Sequence, residues 1–219
     1  MSFNGDSGPG RWPDDSDFDE DEFLREWEAA EAHAVEVLRY ALAPLLGKRP
    51  PANALSAAAD RLRAGIRAET WPYRHMGRAA GWQRLDLPED DVDLWLGAAG
   101  GLISPREDTG LGEEEESTIM SLDFADWLGS IIGLVRGGLG KSAWPEDLVR
   151  YIDECPEVEG RVDPGDVALI EDAFASVIPA WQAAGALDGD RRLTAMGRWG
   201  LPRALAWAWN ADLDQPSSN

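Results

Sequence analysis

The stretch Trp181-Gln182-Ala183-Ala184-Gly185-Ala186-Leu187-Asp188-Gly189-Asp190-Arg191-Arg192-Leu193-Thr194-Ala195-Met196-Gly197 carries the most structural information in the chain. Its first residues end an Ala-rich helix, and Gly185 suits the left-handed position just past a helix C-terminus. Asp188-Gly189-Asp190 is turn chemistry. Arg192-Leu193-Thr194 reads as a short strand. A last helix follows over Ala195 to Asn210, broken or delayed at Gly200 and Pro202. Helix, tight turn, short strand and helix in so few residues predict a mainly α protein with short β-hairpins.

Outward from that stretch the chain is dominated by helical periodicity. Leu24, Trp27, Ala30, Ala34, Leu38, Leu42 and Leu45 step by threes and fours, which predicts one long helix over Asp21 to Leu46. Pro44 and Gly47 stop it. Shorter helices are expected over Leu55 to Ile66, Tyr73 to Trp82, and from Pro88 to Gly100, the last with Glu89, Asp90 and Asp91 in its first turn. Leu102-Ile103 reads as a short strand, and Ser104 to Ser117 as a loop holding the acidic run Glu113 to Glu116. Further helices are expected over Leu122 to Val135, Pro145 to Cys155, and Pro164 to Ala184, the last bent or split at Pro179. Residues 1–20 are rich in Gly, Pro, Ser and Asp and predict a disordered acidic tail. Residues 215–219 form a polar tail.

An internal echo links two places. Ala98-Ala99-Gly100-Gly101-Leu102 matches Ala183-Ala184-Gly185-Ala186-Leu187, each with a Trp just upstream (Trp95 and Trp181). The segment Gly185 to Arg198, with Leu193-Thr194-x-x-Gly197, resembles the wing end of winged-helix domains. There a helix ends at Gly, a hairpin follows, and a Leu-Thr-x-x-Gly segment opens the last helix. The continuation Trp199-Gly200-Leu201-Pro202-Arg203 is similar to uncharacterised acidic proteins of high-GC actinobacteria. The resemblance covers about 60 residues and implies no site residue. The architecture expected is two small winged-helix-like helical modules braced by the long N-terminal helix. Residues 21–137 would hold that helix and the first module, and residues 138–214 the second.

Composition narrows the function classes. The 219 residues carry 41 acids and 20 bases, a formal net charge of -21. Phosphate binding is driven by Lys and Arg, so a nucleic-acid-coating protein is disfavoured. The single cysteine, Cys155, allows no intramolecular disulfide and no multi-cysteine zinc site. The N-terminus lacks the apolar stretch of a targeting signal, and no 18-residue apolar run exists. The expectation is a cytoplasmic bacterial protein without a membrane partner. No Gly-x-Ser-x-Gly or His-Glu-x-x-His motif is present. Asp90, Asp91 and Asp93 read as a helix N-terminus rather than a metal or acid–base site. No cofactor or metal is expected.

One motif needs a decision. Arg136-Gly137-Gly138-Leu139-Gly140-Lys141-Ser142 resembles the phosphate loop of ParA-like ATPases, in which glycine amides and a lysine wrap phosphate. Ser130 to Val135 would be its strand. Against this, Pro145 follows too soon for the helix such a loop must open. A Gly-rich linker is the favoured reading, with a small P-loop-like NTPase as a distant alternative.

The charge is segregated as well as large. Residues 1–31 carry net -9, residues 48–84 net +6, residues 85–190 net -20, and residues 191–211 net +4. The two basic islands supply the candidate partner-binding residues. They are Arg63, Arg67, Arg74 and Arg78 in one, and Arg191, Arg192, Arg198 and Arg203 with Trp199 in the other. Eleven tryptophans add candidate contact surface. The expected function is a non-enzymatic regulatory or adaptor protein. It would bind a protein partner through segregated charge and exposed Trp, and homodimerisation is compatible with this. The main alternative is a winged-helix DNA-binding transcriptional regulator with Arg191 and Arg192 on phosphates. The helix before the wing carries Asp166, Glu171 and Asp172 and no base, which favours the protein partner.

Overall fold

The computed structural model describes residues 32–33, 35–83, 85–103, 121–158, 162–211 and 213. The expected acidic tail, the start of the long helix, the Ser104 to Ser117 loop and the C-terminal polar tail lie outside the described residues. Within them the chain is mainly helical. Helix α1 (35–42) runs into a 3-10 turn, Ala43–Leu45. Then come α2 (Ala52–Arg67), α3 (Tyr73–Ala79) and α4 (Asp91–Gly100). The remainder is α5 (Phe124–Arg136), α6 (Pro145–Asp153), α7 (Val167–Ala183) and α8 (Ala195–Ala208).

Local chemistry sets the helix starts. Asp90 caps α4 by accepting from the amides of Val92 and Asp93, so the helix begins one residue after it and not at Pro88. Asp123 and Asp126 form a capping box at the start of α5. Pro145 occupies the first turn of α6, where its missing N–H costs nothing. The acids 90, 91 and 93 thus serve a helix N-terminus, as their spacing suggested.

Three expectations need correction. Leu102 and Ile103 are buried in a turn and form no strand, because the Ile103 amide bonds back to Gly100. Pro179 does not split α7, and neither Gly200 nor Pro202 breaks α8. Pro202 leaves the Arg198 carbonyl without its i+4 donor, and Gly47 packs its backbone directly on that carbonyl. Burial of both helices against the core outweighs the lost bonds.

The core is one contiguous cluster that runs from Leu38 to Ala211, with members on both sides of residue 137. Helix α5 packs on α6, α6 on α7, α4 on α8, and α2 on α3 and α4. Leu38 and Leu42 of α1 are fully buried, and the 3-10 turn rests on α5. Trp95 is the main tie between the halves. Its ring lies against Gly200 and 5.6 Å from the Trp199 ring. Its Nε1 donates to the Ala184 carbonyl at 2.9 Å.

The region quoted at the outset adopts a compact form without extended strands. Isolated antiparallel bridges join Leu187 to Leu193 and Ser142 to Arg192. Residues 186–188 exchange bonds with 192–194 through Asp188 N to Arg192 O and Thr194 N to Ala186 O, both 3.0 Å. Residues 140–143 join the other side of 191–193 through Gly140 N to Leu193 O, Leu193 N to Lys141 O and Ala143 N to Arg191 O. The echo between Ala98–Leu102 and Ala183–Leu187 does not extend to the backbone. Gly185 has φ +76° and lies past the end of α7, while its counterpart Gly100 is still the last helical residue of α4.

No helix among the described residues is long and apolar enough to cross a membrane.

Candidate functional site

The turn and the helix start around Thr194 are built from short-range bonds. Asp188 Oδ1 accepts from the amides of Asp190 and Arg192, and the Arg191 amide closes onto the Asp188 carbonyl. Arg191 takes φ +57° as a result. Thr194 Oγ1 donates toward the carbonyls of Gly185 and Ala186 and accepts from the Gly197 amide at 3.1 Å, capping α8. Gly197 must lack a Cβ, since one would overlap the Ala186 carbonyl oxygen. The Leu193-Thr194-x-x-Gly197 pattern is therefore a device that welds the turn to α8.

This frame presents one exposed aromatic. Trp144 precedes Pro145 and takes the N-cap position of α6 in extended conformation, with no side-chain cap bond. It is 44% exposed, and the Arg191 guanidinium stacks 3.9 Å from its ring centroid. Leu139, 61% exposed, lies on the same 139–144 segment. Arg192 donates to the Gly140 carbonyl at 3.1 Å. Arg191 and Arg192 thus hold an indole and a backbone carbonyl rather than standing free. Sequence reasoning chose Arg191 and Arg192 but missed Trp144 and Leu139. The signal available was Pro145, because a proline in the first turn places the residue before it at the helix cap.

The remaining candidates in this island divide. Arg198 is exposed on α8. Arg203 donates to the Trp199 carbonyl and lies 5.5 Å from the Trp199 ring. Trp199 itself is 3% exposed and packs on Trp95, so its selection as a contact residue is corrected. The hydrophobic effect claims it for the core.

The other island divides similarly. Arg63 is an internal clamp. It donates to Asp91 at 2.8 Å and to the carbonyls of Pro88 and Glu89, tying α2 to the start of α4. Hydrogen bonds from Ser56 and then Arg63 hold the Asp91 carboxyl below its usual pKa, against a small opposing effect of burial. Arg63 is thus withdrawn from the candidate binding set. Arg67, Arg74 and Arg78 are exposed. Arg74 and Arg78 line a shallow groove with Ile66, Glu69, Gly77 and Trp82. Exposed Trp71 lies in the turn between α2 and α3.

The Gly-rich motif has a structural explanation. Residues 130–135 belong to α5 and not to a strand. Gly138 and Gly140 take φ +81° and +78°, as a tight reversal requires. Gly137 lets the Lys141 stem fold over it, placing Nζ 4.6 Å from the Tyr151 ring centroid. The Gly140 amide already bonds Leu193, and the Lys141 amide bonds Gly138. Those two amides do not cradle phosphate.

Comparison with protein-family models, curated proteins and solved structures found no match.

Two titratable groups complete the electrostatics. Burial pushes the Cys155 thiol above its ordinary pKa, and its sulfur lies 3.3 Å from Glu157 Oε2, which suits a packed residue better than a nucleophile. Burial, with Asp123 and Asp166 adding repulsion, raises Asp126 to about 6, although a bond from the Asp123 amide opposes this. Among the described residues no group of three or more His, Cys, Asp or Glu side chains could hold a metal ion.

Proposed function

We propose that this chain is a non-enzymatic regulatory or adaptor protein whose winged-helix-like C-terminal module, residues 138–214, docks a protein partner. The observation that carries the reading is the exposed Trp144 ring, held by Arg191 on the segment that also exposes Leu139. Trp and Arg dominate the energy of many protein interfaces, and an aromatic already fixed by a cation loses little freedom on binding. The winged-helix-like reading rests on α7 ending at Gly185, the tight antiparallel turn, and Thr194 opening α8.

Charge favours protein over DNA as the partner. In a winged-helix DNA binder the helix before the wing enters the major groove. The exposed positions of α7 here are Ala168, Leu169, Asp172, Ala175 and Ser176, with no base among them. Phosphates would meet an acid and apolar side chains.

The test is quantitative affinity capture from the native cytosol with full-length protein and with Trp144→Ala, followed by mass spectrometry. The reading expects a specific protein held by the wild type and depleted roughly tenfold or more with the variant, the effect of a hot-spot truncation. Equal recovery by both would refute the assignment of this surface.

A further inference from the structure

The groove between α2 and α3 stands apart from the Trp144 surface, and it has a different charge logic. Its lining is Ile66, Glu69, Arg74, Gly77, Arg78 and Trp82. Arg74 and Arg78 outnumber the one acid, Glu69. Arg67 adds a further exposed cation on the last turn of α2. Half-buried Trp82 lines the groove, and 60% exposed Trp71 lies in the turn that leads into α3. Arg74 Nε donates to His75 Nε2 at 3.1 Å, which holds the guanidinium at the surface without neutralising it.

Such a surface is unusual on this molecule. The chain as a whole carries -21, and residues 85–190 alone carry net -20. A cationic, aromatic groove on an acidic protein selects a ligand that is anionic and has rings or aliphatic groups to lay on tryptophan. The chain contains a segment of that chemistry. Residues 1–31 carry net -9 and interleave Phe18, Phe23, Leu24 and Trp27 with the acids Asp17, Asp19, Glu20, Asp21, Glu22 and Glu26. It is attached to the same core through α1, so its effective concentration at the groove is on the order of millimolar.

We propose that the acidic N-terminal segment, residues 1–31, docks in cis on the Arg74–Arg78 groove of α2 and α3, next in sequence to exposed Arg67. The segment covers a basic surface that would otherwise attract acidic ligands non-specifically. An acidic partner reaches the groove only by displacing it, which makes the segment an autoinhibitory competitor. This docking does not depend on the Trp144 reading, since the two surfaces share no residue.

The test uses the full chain. A nitroxide is placed at residue 16 through Ser16→Cys, with Cys155 buried and replaced by Ser as a control. Amide and indole resonances of Gly77, Arg78 and Trp82 are compared with those of Leu169 and Trp144. At about 20 mM salt the groove signals are broadened and the distant ones are not, and at about 500 mM salt the broadening disappears. Arg67→Glu with Arg74→Glu lowers the docked population about fivefold or more, given the modest strength of exposed pairs. Circular dichroism and the melting temperature check that this double variant is folded. Should it melt early, replacing Asp17, Asp19, Asp21 and Glu22 by Asn and Gln gives the same readout from the other side. Equal broadening at all sites, none at low salt, or broadening indifferent to both charge variants would overturn the proposal.

Discussion

Replacing Trp95 by Phe probes whether the two halves of the chain share one core. Trp95 is fully buried on α4, yet its nitrogen bonds the carbonyl of Ala184 at the end of α7 and its ring covers Gly200 of α8. Phenylalanine keeps an aromatic ring but removes the donor. Losing the bond and stranding a buried carbonyl costs about 1–3 kcal/mol. The smaller ring leaves roughly 40 Å³ unfilled, and at about 24 cal/mol per Å³ that adds about 1 kcal/mol. The expected destabilisation is roughly 2–4 kcal/mol, a large share of the total for a domain of this size. Urea unfolding followed by both far-UV circular dichroism and tryptophan fluorescence measures it. The two probes should trace a single transition in each protein, shifted to lower urea in the variant. A shift below about 0.5 kcal/mol, within the range of an ordinary surface substitution, would refute the coupling. So would two separate transitions in the wild type, because the halves would then fold independently.

The remaining predictions test single devices. Asp126 has its folded pKa raised from 3.8 to about 6, so the folded state favours the protonated acid, and stability is lost as pH rises from about 4 through 6. Two pKa units correspond to about 3 kcal/mol, which solvent screening at this half-exposed carboxyl cuts to about 1 kcal/mol. Asp126→Asn should therefore raise stability at pH 7.5 and leave it unchanged near pH 4, measured by urea midpoints across pH; the same gain at both would contradict the burial argument. Thr194→Ala removes the α8 cap and should cost about 1–2 kcal/mol by thermal denaturation. Gly197→Ala and Gly137→Ala should separate clearly in melting temperature. The first drives a methyl into the Ala186 backbone carbonyl, and the second meets the movable Lys141 stem; equal effects would undo the account of the Leu193-Thr194-x-x-Gly197 pattern. Adenosine and guanosine triphosphates should leave the melting temperature unchanged, and a rise abolished by Lys141→Ala would restore the nucleotide reading.

Much of the helical layout was legible because local chemistry decides it. The Leu38 and Leu42 stripe marks α1, and Pro145 at the start of α6 and Gly185 after α7 each name an element end without reference to the rest of the fold. Prolines misled the reading where packing won. Pro179 and Pro202 each remove a donor, but the buried faces of α7 and α8 hold the helices through them. Leu102-Ile103 looked like a strand because a short apolar run has no period of its own. The candidate arginines show the limit more clearly. Charge alone cannot distinguish Arg63, spent on Asp91 and two carbonyls, from Arg67 about one turn later, exposed at the end of the same helix. Trp199 and Trp144 are alike in composition, and only tertiary packing buries one and leaves the other at the surface.

The most direct test of the central claim is fluorescence anisotropy of mixed-sequence duplex DNA titrated with the full-length protein across a salt series. The same titration is run with a form lacking residues 1–20. The account predicts that any binding at low salt, by either form, is indifferent to Arg191→Glu/Arg192→Glu, because α7 presents no base and Arg191 and Arg192 are committed to Trp144 and Gly140. Salt-sensitive binding that strengthens without the acidic residues and is lost in Arg191→Glu/Arg192→Glu would contradict it and make the chain a DNA-binding regulator.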